Sequence, residues 1–573
     1  MEKDDRGYWS CELPAAAPGC AYLYRLDESL ERPDPASFFQ PYGVHGPSVV
    51  IDHAFPWHDR DWTGINARNM ALYELHVGTF SPEGVFGGVI DRLGELRALG
   101  VNAVELMPVG QFPGARAWGY EGVYPFAVQD SYGGPYELKR LVDACHALGL
   151  AVVLDVVYNH LGPEGNYLAD FGPYFTDAHR TLWGMAVNFD GPYSDEVRNF
   201  FIENALHWFG RYHIDALRLD AIHCIFDRSA APFLAELAQR TARFSEETGR
   251  RFSLIAESDL NDAGVVKPGR LGGVGLDAQW SDDFHHSLHS LLTGERNGYY
   301  VDFGAVADLA KAIKEAFVYQ GRYSAYRKRR HGNATEGVPA EKFVVFCQNH
   351  DQTGNRGNGE RLAALVPFEA LKLAAGVLLT APYVPLLFMG EEYGEDRPFL
   401  YFTDCGDPDL ASAVRAGRKE ELKAFGWERE PPDPLDAGTF AASKIEWEKR
   451  RTGRGKVLCD YFRRMFSLRR QIACLALPDN CRLQVYASEA DRLIGARRWN
   501  EGISVLWLGN LEGAAKPLTI PVPEGSWIKV LDSSDAMWGG AGCLLPDRLR
   551  GVAWPESSIG AYGFALFVAD GSG

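Results

Sequence analysis

Short apolar runs recur through the middle of the chain: ALYELHV (71–77), VNAVELM (101–107), LAVVLDVV (150–157), IDALRLD (214–220), FSLIAE (252–257), LDAQW (276–280), KFVVFC (342–347) and VPLLF (384–388). Each has the length and near-continuous hydrophobicity of a strand buried on both faces. Between most of them the pattern changes to helical periodicity, as at 89–99, 136–148, 194–209 and 233–244. Eight buried strands alternating with helices predict a closed parallel (β/α)8 TIM barrel, an α/β fold. The stretch 158–193 is rich in Gly, Pro and aromatics and reads as an insertion after the third strand. Residues 1–65 carry only brief alternating runs, a partial N-terminal β-domain. A helix is expected near 455–472, and beyond Pro478 the period becomes two, in RLQVYA, RLIGARRW, ISVLWLG, WIKVLD and YGFALFVA. That pattern predicts a C-terminal antiparallel β-sandwich. The expected domains are therefore 1–65, 66–475 and 476–573.

Composition narrows the class of partner. The 573 residues carry 76 acidic against 58 basic side chains, a formal charge of -18. Nucleic acid and anionic lipid need a basic footprint, so a neutral partner is expected. The uncharged run 373–390 has the length of a membrane span, but Pro382 and Pro385 interrupt it, and a helix, a turn and a buried strand fit better. Ten scattered cysteines form no CxxC pair, and MEKDDRGYWS is not a signal peptide. Both observations lead to an expected cytoplasmic location with free thiols.

In a barrel of this kind the reacting groups lie at the C-terminal ends of the strands. Strand three runs out as Asp155-Val-Val-Tyr-Asn159-His160, strand four as Arg218-Leu-Asp220-Ala-Ile-His223, strand five at Glu257, and strand seven into Asn349-His350-Asp351. Arg218 and Asp220, two apart, project to the same side and would keep the Asp220 carboxylate charged. Glu257 follows an apolar run, a setting that raises a carboxyl pKa toward that of a general acid. One charged and one protonated carboxyl is the pair used for glycoside hydrolysis, and Asp351 could serve the positive charge that develops at the reacting carbon. A lone strand-end Asp is more often a helix cap; several together with His, Arg and Asn favour a site. The same residues are competent metal ligands, but Arg218 opposes a cation, so neither metal nor cofactor is expected.

DVVYNH (155–160), ALRLDAIH (216–223), IAES (255–258) and QNHD (348–351) resemble, in order and spacing, the alpha-amylase superfamily of retaining α-glucan enzymes. The resemblance implies Asp220 as nucleophile, Glu257 as acid/base and Asp351 as transition-state stabiliser. It implies Arg218, His160, His223 and His350 as contacts to the sugar, with Tyr120 of WGYEG beneath its ring. The segments 34–48, 74–86, 256–262, 280–286, 348–356 and 443–447 are similar to a trehalose-releasing subgroup of that superfamily. This implies cleavage of the α-1,4 bond next to a terminal trehalose, with Asp282, Asp283, His285, His286, Gln352 and Asn355 along the cleft. Each of these has a plain alternative: Asp282 and Asp283 as helix caps, His285 and His286 as solvated helix residues, and Trp183 as either a glucose platform or the insertion's own core. A branching transferase would share the motifs and the chemistry up to the covalent intermediate, and a catalytically silent glucan-binding protein would lack one of the three carboxylates.

Overall fold

The structure, a computed structural model, describes residues 1–573 except 28, 182–183, 428–429, 477–481, 552–555, 571–573 and the side chain of 424. Eight parallel strands close into a barrel: β1 (Leu72–Leu75), β2 (Ala103–Leu106), β3 (Ala151–Val156), β4 (Ala216–Leu219), β5 (Ser253–Ala256), β6 (Ala278–Trp280), β7 (Phe343–Phe346) and β8 (Val384–Phe388). The ring shuts where Leu386 pairs with Leu72 and Phe388 with Glu74. All eight strands fall inside the apolar runs, one to two residues shorter at most ends, because the terminal residues turn toward the loops. The helices follow the same pattern, at Gly134–Ala147, Ser194–Tyr212, Phe233–Thr248 and Gly453–Gln471. The expected helix at 89–99 is divided into Phe86–Ile90 and Leu93–Leu99.

Alternation along the strands decides what fills the barrel. Leu72, Ala103, Val153, Ala216, Ile255 and Phe346 belong to one apolar cluster that occupies the interior. Two residues further along, in the same phase, come Glu74, Glu105, Asp155 and Arg218, all buried. The barrel is therefore an apolar plug topped by a charged layer at its C-terminal end, and it is this layer that underlies the site.

The insertion after β3 contains a hairpin of Phe175–Thr181 with Gly184–Val187. Among the described residues the N-terminal segment contributes three two-stranded pairs, including Ala21–Tyr22 with Ser48–Val49 and Tyr24–Leu26 with Leu30–Arg32. At the other end β9 (Arg482–Ser488), β10 (Leu493–Trp499), β11 (Ser504–Asn510), β12 (Ser526–Asp532), β13 (Arg548–Arg550) and β14 (Phe564–Ala569) form an antiparallel sheet in the order β9-β10-β11-β14-β12-β13. Leu518, Ile520, Val522 and Ile559 cover one face. The other face packs on the helix Phe368–Thr380, where a Cβ on Gly376 would meet the Phe564 ring at 2.5 Å, so only glycine permits the approach. That helix, a turn and β8 account for the uncharged run 373–390; among the described residues no helix is long and apolar enough to cross a membrane. The nine described cysteines are free, with Cys11, Cys20 and Cys543 exposed and Cys145, Cys347, Cys459 and Cys474 buried.

Candidate active site

Arg218 is the centre of the charged layer and has no solvent exposure. Its Nη1 donates to both oxygens of Asp155, at 3.0 and 2.9 Å, and to Asp220 Oδ1 at 2.7 Å, while Nη2 lies 3.7 Å from Glu257 Oε2. Its guanidinium carbon sits 4.6 Å from the centre of the Trp280 ring. One cation thus touches carboxylates from three successive strands. The β4–β5 register pairs Leu219 with Ala256, which makes Asp220 and Glu257 lateral neighbours. Adjacent strands lie about 4.8 Å apart, within reach of the ~5–5.5 Å carboxyl separation used in retaining hydrolysis.

The two carboxyls are held in opposite states. Burial alone would raise Asp220, but Arg218, His160 and the Asn159 hydrogen bond together hold it below the usual carboxylate range. Asn159 Nδ2 donates to Asp220 Oδ2 and to the Asp220 carbonyl, each at 2.8 Å. Burial raises Glu257, and the Asp220 charge adds to that rise against the opposing pull of Arg218. Glu257 Oε2 accepts the Ala221 N–H at 2.6 Å, so a proton on this carboxyl belongs on Oε1. Ala221 achieves this with φ at 40°, a left-handed conformation that costs an alanine about 1 kcal/mol or more.

The remaining predicted residues separate into two sets. Tyr120, in the loop between Gly110–Gln111 and Tyr124–Val128, bonds Asp155 and His350 at 2.7 Å each and stacks on the His350 ring. His160 faces two acceptors, Asn159 Oδ1 through Nδ1 and the Tyr120 carbonyl through Nε2, and so braces the residue that braces Asp220. Asp351 opens the short helix His350–Gly354 with its side chain 39% exposed, 3.4 Å from His350 Nε2, and Asn355 Nδ2 reaches its Oδ1 at 3.5 Å. Gln352 Nε2 donates to Asp282 Oδ1 at 2.9 Å, and burial, with Glu257 and Asp351 nearby, pushes Asp282 up to about 8. His223 lies 3.9 Å from Asp259, and although burial opposes it, Cys224, Glu257 and Asp259 push it up to about 9.

Asp283 and His285 are engaged by the protein itself. Asp283 Oδ2 accepts Asn261 Nδ2 and the N–H groups of Val318 and Tyr319, at 2.7, 2.6 and 3.0 Å, and is buried. His285 bonds the Cys347 carbonyl and the Tyr300 hydroxyl. His286 packs on Tyr299, ring centres 4.4 Å apart, and burial pushes it down to about 3. Neither histidine is a solvated helix residue. Asp282 and Asp283 stand in the first helical turn after Ser281, so neither is a cap. Trp183 lies outside the described residues.

The chain is 49% identical to a malto-oligosyltrehalose trehalohydrolase from Saccharolobus solfataricus over 448 residues, covering 78% of each chain. It is 42% identical to one from Arthrobacter ramosus over 550 residues, covering 95% of this chain and 93% of the relative. The chain belongs to the malto-oligosyltrehalose trehalohydrolase family. A family profile described as "Alpha amylase, catalytic domain" matches residues 54–180, consistent with the trehalohydrolase family's place in that superfamily. A solved structure of a Salmonella typhimurium protein assigned to the alpha amylases superposes with a TM-score of 0.86 at 36% identity, covering 97% of this chain and 92% of that one. By contrast, a glucan branching enzyme from Geobacillus stearothermophilus is 26% identical over 432 residues, covering 69% of this chain and 63% of the enzyme.

Asp155 and Asn159 were marked from sequence as polar residues ending strand three but given no place in the sugar site, while Glu74 and Trp280 were not singled out. A signal existed for Glu74, an acid in phase with the inward apolar residues of a buried strand, where a charge is costly without a partner. Trp280 looks from sequence like any core aromatic.

Proposed function

We propose that the chain is a retaining glycoside hydrolase that cleaves the α-1,4-glucosidic bond next to the terminal trehalose of a maltooligosyltrehalose and releases trehalose. The observation that carries the chemistry is the single buried guanidinium that contacts Asp220 and lies beside Glu257 on the neighbouring strand. Glu257 donates its Oε1 proton to the glycosidic oxygen as Asp220 attacks the anomeric carbon. The trehalose leaves, and Glu257, now a base, takes a proton from the water that opens the glycosyl–Asp220 ester. Asp351, with His350 behind it, faces the charge that develops on the ring carbon and oxygen. Asp282, Gln352, Asn355, His223 and Tyr120 surround the sugar, whereas Asp283 and His285 act by fixing the helix that carries Asp282. No step calls on a metal or a cofactor.

The trehalose end rests on the names carried by relatives at 49% and 42% identity over most of the chain. A neutral α-glucan suits the formal charge of -18. Exposed free Cys11, Cys20 and Cys543 support a reducing cytosol, and the period changes support domains at 1–65, 66–475 and 476–573. The test is incubation with maltopentaosyl-trehalose and, separately, with amylose. Release of trehalose with retained anomeric configuration is the expected result; new α-1,6 branches on amylose without trehalose would replace this reading with a transferase.

A further inference from the structure

We propose that Glu74, at the end of β1, is a positioning residue that holds His350 as an imidazolium with Nε2–H directed at the Tyr120 hydroxyl and the sugar cleft. The proposal rests on the hydrolase reading only for its kinetic readout. Glu74 accepts the backbone N–H of His350 at 3.0 Å through Oε2 and the ring Nδ1–H through Oε1, and both side chains are about 1% exposed. A carboxylate has an acceptor for each of these donors; an amide has one acceptor and one N–H group that would face a donor.

Proton counting then fixes the other ring nitrogen. The Tyr120 hydroxyl makes two 2.7 Å contacts, to Asp155 Oδ2 and to His350 Nε2, and has one proton to give. Arg218 Nη1 donates to both Asp155 oxygens, which marks Asp155 as the acceptor of that proton. With Asp155 charged, as Arg218 Nη1 on both of its oxygens favours, the contact to His350 is a hydrogen bond only if Nε2 carries its own proton. Charges alternate along the chain of contacts: Glu74 carboxylate, His350 cation, neutral Tyr120, Asp155 carboxylate, Arg218 cation, Asp220 carboxylate.

The groups around His350 support this state. Burial would lower His350, but Asp351 on its own helix and Glu74 on β1 outweigh it, with Arg218 on β4 opposing, and push it up to about 9. Burial pushes Asp155 on β3 up to about 7, against the pull of Arg218 and His350, so its negative charge is fully present only above that pH. Glu105 on β2 has no hydrogen-bond partner among the described residues, and burial with the Glu74 and Asp155 charges raises it well above the ordinary carboxyl value, so it is neutral. His76 beyond β1 is buried and pushed down to about 3, so it too is neutral. Trp118 and Trp280 close the remaining sides without charge.

The test is the ratio of kcat/KM for Glu74→Gln to that of the parent from pH 5 to pH 9, on maltopentaosyl-trehalose. The ratio cancels the titration of Glu257, common to both proteins. If His350 falls from about 9 to an ordinary value near 6.5, the ratio drops about 30-fold between pH 5 and pH 8. Glu74→Asp, which keeps the charge, holds the ratio nearly level. A ratio that is constant with pH, however low, means that Glu74 only supports the fold, and overturns the proposal. Should Glu74→Gln not fold, ¹⁵N-histidine NMR of the parent at pH 7.5, with His350 assigned by its loss in His350→Gln, reads the state directly. Both nitrogens protonated is the expected spectrum, and a neutral tautomer overturns the proposal. That measurement needs no substrate, so a parent that releases no trehalose defeats the hydrolase reading and leaves this one decided by NMR.

Discussion

Replacing Arg218 by lysine separates two things that the guanidinium does at once. Lysine keeps one buried positive charge, so the acidic layer is not stripped of its counterion. It presents a single point of charge, though, and cannot reach Asp155 at 2.9 Å and Asp220 at 2.7 Å together. Asp155 already has two bonds from Arg218 and sits within the barrel, whereas Asp220 keeps Asn159 as a second donor. An ammonium in this space therefore settles on Asp155. Asp220 then loses one charge-assisted hydrogen bond, worth about 1.5–3 kcal/mol. That energy makes ionisation of Asp220 about ten- to a hundredfold less favourable, a deficit read as lost rate on the acid side of the profile. The sign follows from the mechanism: Asp220 must be ionised to attack, so activity falls as pH drops through its value. Because the parent value lies below the usual carboxylate range, the acid limb of kcat/KM moves toward neutrality in the variant. The assay is trehalose release between pH 3 and pH 8 for both proteins. If the rate falls at every pH with the acid limb unmoved, Asn159 and His160 hold Asp220 ionised and the role given to Arg218 is wrong.

Asp220→Asn and Glu257→Gln are each expected to lower kcat by about 10³-fold or more with substrate binding largely retained, as calorimetry on the inactive variants would show; loss of binding in step with kcat would instead indicate a collapsed cleft. The opposite end of the barrel offers a stability test. Asp59 Oδ2 accepts from His146, His213 and Arg250, and His146 also bonds Asp215. Burial alone would raise Asp59, but His146, His213 and Arg250 lower it well below the ordinary value, while Asp215 and Asp59 overcome burial to raise His146. The Asp59 contribution is present above about pH 4 and is lost on acidification; that of His146 is present below about pH 6.5 and is lost as pH rises through its folded value. Asp59→Ala should therefore cost about 3–5 kcal/mol of stability near pH 5.5 and less near pH 9, read as the difference in Tm from the parent. A difference that is the same at both pH values would remove His146 from the account.

What could be read from the chain, and what could not, follows from how far each interaction reaches. The eight strands were legible because burial on both faces imposes a continuous apolar run, a local property. The catalytic acids were legible because polar residues break those runs at one end only. Contacts between loops were not. Asp282 and Asp283 are adjacent, equally acidic and in the same helical turn, yet one turns to Gln352 and the other to the backbone of 318–319; nothing local distinguishes them, since the choice is made by a loop some 35 residues away. Glu74 illustrates an intermediate case. Its phase with Leu72 places it inside the barrel from sequence alone, and an unpaired charge there is untenable. Its partner, His350, arrives 276 residues later from β7, which the strand order brings to within one strand of β1. An inward-facing acid in a buried strand thus demands either a cation, as Glu74 finds in His350, or a proton, as at Glu105, and only closure of the barrel determines which.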